Sequence, residues 1–391
     1  MISKRILSVC LSFMLFFSGV VYAETGQQND SEEKKTASQM VDAKSAILME
    51  QSTKKVLYEH MPDEKCKIAS VTKTMTMLLI MEAIETGKIK YTDMVTTSDY
   101  AASMGGSQVF LEPGEEMTVD DMLKAICVSS GNDAAVAMAE HIGGSEDAFV
   151  EMMNKRAGEL GAKNTHFINC NGLDETDEHY STARDVALIS CELLKHKDIE
   201  KYTTIWMDTL RDGKFGLSNT NKLIRFYKGA NGIKTGSTSV AKYCLSASAK
   251  RDDMQLVAVV LGAPSTQERF SGATKLLDFG FANYSVADGK ALAGGVDKIK
   301  VVGGDSDFVE AEVLDSGNIV VKKGEKDKIK AEKTIEEKIK APVKKGTQVG
   351  ELKIILDGKE IGKKDIVAKT NVEKIKLYKM YIKMLKKWLS I

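Results

Sequence analysis

Ser70 opens a segment, running to Thr86, that is apolar on nearly every face: Val71, Met75, Met77, Leu78, Leu79, Ile80, Met81, Ala83 and Ile84. A helix that is hydrophobic all round is a buried helix, so this stretch predicts a helix inside the core. Gly87 suits its C-terminal stop. The length of 391 residues, with 43% apolar and 28% charged content, allows a sizeable core and more than one domain. Whatever polar chemistry the first turn carries, at Ser70 and Lys73, is drawn toward the interior with it.

The flanking patterns say what covers that helix. Residues 45–60 read as two strands joined by a turn. Residues 119–140 read as two helical stretches broken at Ser129–Asp133, and amphipathic helices follow near 147–160 and 183–195. Gly232–Ser237 leads into a hairpin, Tyr243–Lys250 and Gln255–Leu261 around Arg251-Asp252-Asp253, and a last helix over about 266–282 closes the unit. Strands at both ends of a helical middle predict an α+β domain, a sheet with a helical cluster beside it. After about residue 287 short alternating runs (Ile299–Val301, Phe308–Val313, Ile319–Val321, Leu352–Leu356) separated by Gly, Asp and Lys turns predict a small all-β domain.

Three short motifs lie in order on this framework: Ser70-Val71-Thr72-Lys73, Ser130-Gly131-Asn132 and Lys234-Thr235-Gly236. As S-x-x-K, S-x-N and K-T-G, they mark serine acyl-transfer enzymes. Each alone is weak. S-x-x-K recurs at Ser31–Lys34 and Ser52–Lys55, and S-G-N at Ser316–Asn318. Setting separates them: Ser52 falls in an exposed polar turn, and Ser316–Asn318 in what reads as a hairpin turn, where S-G-N is ordinary turn chemistry.

The chemistry needs these residue types in these places. A serine at a helix N-terminus has a free backbone N–H and a dipole favourable to a developing oxyanion. Lys73, three residues on, shares its face, and burial beside a second cation such as Lys234 lowers its pKa toward that of a base. Ser130 can pass a proton between base and leaving nitrogen, and Asn132 can bond a substrate amide. Lys234 and Thr235 offer charge and hydroxyl to a carboxylate. Gly236 lets substrate lie against the strand edge, and the Ser237 N–H is the second oxyanion donor.

Charge and composition place the chain. Lys and Arg total 55 and so do Asp and Glu, so a nucleic-acid partner has no electrostatic support. The balance hides two basic ends. Lys4-Arg5, the apolar Ile6–Val21 and Val21-Tyr22-Ala23 read as a signal peptide over 1–23, cut after Ala23, with 24–38 a polar lead-in. Residues 374–391 carry six lysines and no acid. Five of these, 376, 379, 383, 386 and 387, fall within an arc of roughly 100° opposite Leu377, Met380, Tyr381, Met384, Leu385, Trp388 and Leu389. That pattern, over 372–391, predicts a helix lying in an anionic membrane surface. The cysteines past the leader, Cys66, Cys127, Cys170, Cys191 and Cys244, are odd in number with no C-x-x-C, and no H-E-x-x-H occurs, so neither a zinc site nor a disulfide framework is expected.

With these motifs the chain resembles the low-molecular-mass penicillin-binding proteins, D-alanyl-D-alanine carboxypeptidases of peptidase family S11, of the DacF and penicillin-binding-protein-5 type. The resemblance runs from about Ser45 to the C-terminus. It includes Met104–Gln108, Ser130–Ala134, Thr165–Leu173, Tyr180–Ala183, Gly232-Ile233 and, later, Ala341-Pro342-Val343 with Val349–Leu352. It implies a β-lactamase/transpeptidase-like catalytic domain over 39–285, a β-rich domain over 287–370 and the terminal membrane helix. It implies removal of terminal D-alanine from peptidoglycan stem peptides through acyl-Ser70, acylation by β-lactam antibiotics, no cofactor, and a place on the outer face of the cytoplasmic membrane. Arg269 resembles the family arginine that helps bind the terminal carboxylate. Two departures stand out: Lys67-Ile68 replaces the usual prolines before Ala69-Ser70, and Thr220 stands where some members carry arginine.

Two other readings compete. A class A β-lactamase needs a glutamate to activate the deacylating water, and its place, about 36 residues after Ser130, is held by His166. A non-catalytic wall-binding protein of the same fold has no use for an intact Ser70, Lys73, Ser130, Asn132 and Lys234.

Overall fold

The computed structural model describes residues 40–173 and 176–389. The signal peptide and lead-in expected over 1–38, with the Ser31 motif, lie outside the described residues.

A five-stranded antiparallel sheet organises the first domain: β1 Ser45–Glu50, β2 Val56–His60, β3 Ala230–Thr238, β4 Lys242–Arg251 and β5 Met254–Ala263, in the order β2-β1-β5-β4-β3. The chain lays down one edge, leaves to build the helices, and returns to complete the sheet. β5 is central and almost continuously apolar because both of its faces are covered. Val257, Val259 and Leu261 join the large core shared with the helical cluster, while Leu256 and Val260 face a helix on the other side.

The predicted buried helix is present, with one refinement. Ala69–Thr72 form a 3₁₀ turn and the α-helix proper, α1, spans Lys73–Glu85, with Met77, Leu78 and Ile80 fully buried. Gly87, at φ +74°, ends it as expected. Around it pack α2 (Val119–Val128), α3 (Asn132–Gly143), α4 (Glu146–Glu159) and α5 (Ala183–Leu193). Thr118, Ser145 and Thr182 cap α2, α4 and α5 by accepting first-turn N–H bonds. α5 is tied to the sheet by the buried Ser190–Ser246 hydroxyl contact of 2.7 Å.

On the opposite face lies α6 (Thr266–Asn283). It approaches closely because it presents glycine: a Cβ on Gly280 would stand 2.5 Å from Leu256 Cδ1 and 2.9 Å from Leu48 Cδ2.

The rest of the described chain is β-rich. Tyr284–Ala287 pairs with Ile319–Lys322, and a four-stranded sheet joins Ala311–Val313, Lys359–Ala368, Gln348–Leu356 and Ile329–Ile335. Ile299, Val301, Val349, Leu352 and Ile366 share its core. The Ser316–Asn318 segment links strands of two different sheets instead of turning a hairpin. It does so because Ile319–Lys322 pairs with the strand that follows α6, not with its sequence neighbour. Asn318 Nδ2 there donates to Ser52 Oγ at 3.1 Å, so the two motif look-alikes meet where the β-rich part touches the first domain. Lys55 Nζ donates to the Val320 carbonyl beside them, at 3.1 Å.

α7, Leu377–Leu389, ends the described chain with Leu377 and Trp388 each 80% exposed. Among the described residues no helix is long and apolar enough to cross a membrane.

Gly280→Val forces α6 off the sheet. Overpacking of this kind costs about 1–3 kcal/mol. A melt followed by circular dichroism is expected to show a midpoint lowered by several degrees, and an unchanged midpoint would contradict the close approach.

Candidate active site

The three motifs converge from three elements. The Ser70 turn precedes α1, Ser130 sits in the α2–α3 break with Asn132 as the first residue of α3, and Lys234 lies on edge strand β3. Two positive φ angles on non-glycine residues mark the junction, Ala69 at +48° and Ser130 at +65°. Such angles are costly and persist where the surroundings impose them. Next to Ala69 the packing is close: a Cβ on Gly172 (φ +81°) would lie 2.0 Å from the Ala69 carbonyl oxygen.

Gly236 has a more definite task than its sequence position announced. A Cβ on it would stand 2.7 Å from the Ile68 carbonyl oxygen and 2.9 Å from Ser70 N. The close neighbour is the protein's own backbone, and the missing side chain lets β3 run alongside the Ser70 turn.

Lys73 is the hub, and it is fully buried. Its Nζ donates to Ser70 Oγ at 3.0 Å, Asn132 Oδ1 at 2.5 Å and the Asn171 carbonyl at 2.9 Å. None of these partners is an anion. Burial, and then the Lys234 charge, hold its pKa well below the usual 10.5, against an opposing pull from Cys170 and Asp133. Lys234 is equally buried and donates to the Thr235 carbonyl at 2.9 Å. Burial and the Arg269 guanidinium lower it to about 7. The Lys234 charge thus makes the neighbourhood of Lys73 unfavourable to a proton.

The other predicted residues fall around this pair. Asn132 spends both ends on the protein, with Nδ2 donating to the Gly105 carbonyl at 2.7 Å. Thr235 Oγ1 donates to Thr220 Oγ1 at 2.7 Å, so Thr220 supports the K-T-G hydroxyl directly. Ser130 is buried in its loop, and Ser237 is exposed on β3. Arg269 reaches from α6 beneath the strand: Nη1 donates to the Gly236 and Cys244 carbonyls, each at 3.3 Å, and the guanidinium stacks 4.6 Å from the Phe270 ring.

Sequence reasoning did not single out several supports. The Asp133 carboxylate accepts backbone N–H bonds from Val109, Leu111 and Ala134, at 3.0–3.2 Å for the first, 3.1 Å and 2.9 Å, which holds the 105–111 loop against α3. Asn171 presents its carbonyl to Lys73. His179 Nε2 meets Thr72 Oγ1 at 2.7 Å. The only linear cues were an acid directly after S-G-N and an Asn-Gly pair at 171–172. The five cysteines past the leader are all buried, and burial raises the thiol of each.

A family model described as D-alanyl-D-alanine carboxypeptidase matches residues 31–265, and one described as the C-terminal domain of penicillin-binding protein 5 matches 286–374. The chain is 48% identical over 375 residues to D-alanyl-D-alanine carboxypeptidase DacF of Bacillus subtilis, covering 95% of each. It is 35% identical to DacA of Escherichia coli, over 84% of this chain and 83% of the relative. Among solved structures, penicillin-binding protein 5 of Haemophilus influenzae superposes with a TM-score of 0.75 at 33% identity, covering 85% of this chain and 98% of the other.

The lowered Lys73 pKa has a consequence for stability. Between its folded value and 10.5 the unfolded chain binds the proton and the folded chain does not, so this group adds stability as pH rises through that window and the addition is lost as pH falls. Lys73→Met removes the contribution. Urea unfolding at pH 6, 8 and 10 is expected to show the native protein gaining on the variant as pH rises; a difference independent of pH would mean that Lys73 is charged in the fold.

Proposed function

Since the chain belongs to the D-alanyl-D-alanine carboxypeptidase family S11, whose members act on peptidoglycan ends and bind β-lactams, we propose that Ser70 is its nucleophile and Lys73 its general base. The observation that carries this is the 3.0 Å contact from a buried lysine to the Ser70 hydroxyl with no anion among that lysine's bonded partners. Neutral Lys73 takes the Ser70 proton as Oγ attacks the carbonyl of the penultimate D-alanine. The Ser70 and Ser237 N–H groups receive the oxyanion. The C–N bond breaks as the proton held by Lys73 passes through Ser130 to the leaving nitrogen, and D-alanine departs. Water then attacks the ester, Lys73 again accepting a proton, and Ser70 is restored.

Lys234 and the Thr235 hydroxyl bind the terminal carboxylate. Arg269, seated on the Gly236 and Cys244 carbonyls, adds its charge from below the strand and fixes the strand's position. Asn132 first holds Lys73, and its Oδ1 keeps a second lone pair for a substrate amide.

A β-lactamase reading fares worse. Position 166 is an exposed histidine whose Nδ1 meets the Glu178 carbonyl at 2.7 Å, and the same segment gives Lys73 the Asn171 carbonyl instead of a carboxylate. The leader at 1–23 and the cationic face of 372–391 support export and attachment to the outer face of an anionic membrane; α7 leaves its apolar residues uncovered, with Trp388 and Leu377 the most exposed.

Incubation with a peptide ending in D-Ala-D-Ala is expected to release D-alanine, and fluorescent penicillin to leave a stable label. Ser70→Ala abolishes both. Lys73→Arg keeps a cation that cannot deprotonate and lowers acylation about 10²–10⁴-fold. No D-alanine from the native protein would sink the carboxypeptidase reading, and rapid loss of label would favour the β-lactamase. In Lys234→Gln the cation that disfavours protonation of Lys73 is gone, so the acid limb of penicillin acylation moves to higher pH; a limb that stays put would assign it to another group.

A further inference from the structure

A cavity of about 520 Å³ opens beside the Ser70 turn, where the β3–β4 hairpin meets the segment before Ser70. Lys44, Lys65, Lys67 and Lys242 line it, with Asp177 and Tyr180 among the other residues. Lys44 pairs with Glu64 at 3.2 Å and Lys67 with Asp177 at 3.2 Å. Lys65 lies 4.2 Å above the Tyr180 ring. Neither Lys65 nor Lys242 has a carboxylate partner among the described residues, and both are exposed, so the cavity carries an excess of positive charge. A smaller hollow, lined by Lys67, Ala69, Gly172, Thr238 and Ala241 among others, adjoins the Ser70 turn and shares Lys67 and Ala241 with the larger space.

The direction of the strand gives this charge a meaning, on the reading of the site proposed above. The leaving carboxylate goes to Lys234 and Thr235, so the acyl side of the substrate must run the other way along β3, past Ser237 and Thr238, toward Val240–Lys242. Thr238 lies opposite Lys242 in the hairpin, so an extended peptide acylated at Ser70, advancing about 3.3 Å per residue, carries the residues ahead of the scissile bond toward the lysines.

We propose that the lysine-lined cavity is a subsite for a carboxylate carried by the substrate's stem on the acyl side, so that the enzyme prefers acidic stem peptides over neutral ones of equal length. Lys65 and Lys242 are its free charges. Lys67, which lines both the cavity and the smaller hollow, joins the cavity to the Ser70 turn. The subsite acts on specificity and leaves the acylation machinery alone.

Two pentapeptides ending in D-Ala-D-Ala, one with glutamate and one with glutamine at both residues before them, test this on the Ser70→Ala protein by NMR titration. The glutamate peptide is expected to bind on the order of tenfold more tightly at low salt. The advantage disappears in 0.5 M NaCl, and also when Lys65→Ala and Lys242→Ala are added. N-acetylglutamate supplied separately gives the glutamine peptide no help. Penicillin acylation of Lys65→Ala/Lys242→Ala, with Ser70 intact, proceeds at the native rate. Indistinguishable binding of the two peptides, an advantage that survives loss of both lysines, or rescue by the separate acid overturns the subsite. The carboxypeptidase reading stands or falls apart from this, on D-alanine release from the glutamine peptide by the native enzyme.

Discussion

The structure turns on keeping Lys73 buried without an anion. An ammonium group in a closed interior is costly, and a carboxylate beside it would settle the matter by making an ion pair. Here its contacts are instead a hydroxyl, an amide oxygen and a backbone carbonyl. The proton is therefore the thing the site can most easily give up. Lys234 reinforces the effect from the neighbouring strand. The same lysine, paired to an acid on the surface, would remain charged and inert as a base.

Much of the surrounding architecture can be understood as serving that condition. The largely apolar α1 carries Lys73 inward, and the sheet and helical cluster close over it. Gly236 and Gly172 let two backbones press against the Ser70 turn, which holds Ser70 where a side chain at either position would displace it. Asp133 is kept one step away, bonded to loop N–H groups, so its charge tempers Lys73 without bonding to it. Arg269 anchors β3 through backbone carbonyls from the far face of the sheet.

The β-rich portion and terminal helix belong to a different layer of design. They touch the first domain through polar contacts such as Lys55 with Val320 and Asn318 with Ser52, well away from the motif residues. On the proposed reading they place an unchanged catalytic unit at a membrane surface. The lysine cavity sits between these levels: it belongs to the catalytic domain, yet its use lies in choosing which peptide is presented.

The sequence by itself determined the long helices and the central hairpin, because period, caps and glycine stops are local and the patterns at 73–85, 119–143 and 242–263 are strong. It also singled out Ser70, Lys73, Ser130, Asn132 and Lys234, because the acyl-transfer chemistry demands those residue types in that order. Only the tertiary structure decided what lies against them. That Gly236 makes room for the Ser70 backbone, that Thr220 braces Thr235, that Asn171 lends its carbonyl to Lys73 and that Ser316–Asn318 bridges two sheets are facts of long-range packing. No window of neighbouring residues encodes them, since each joins segments that meet only after the sheet has closed.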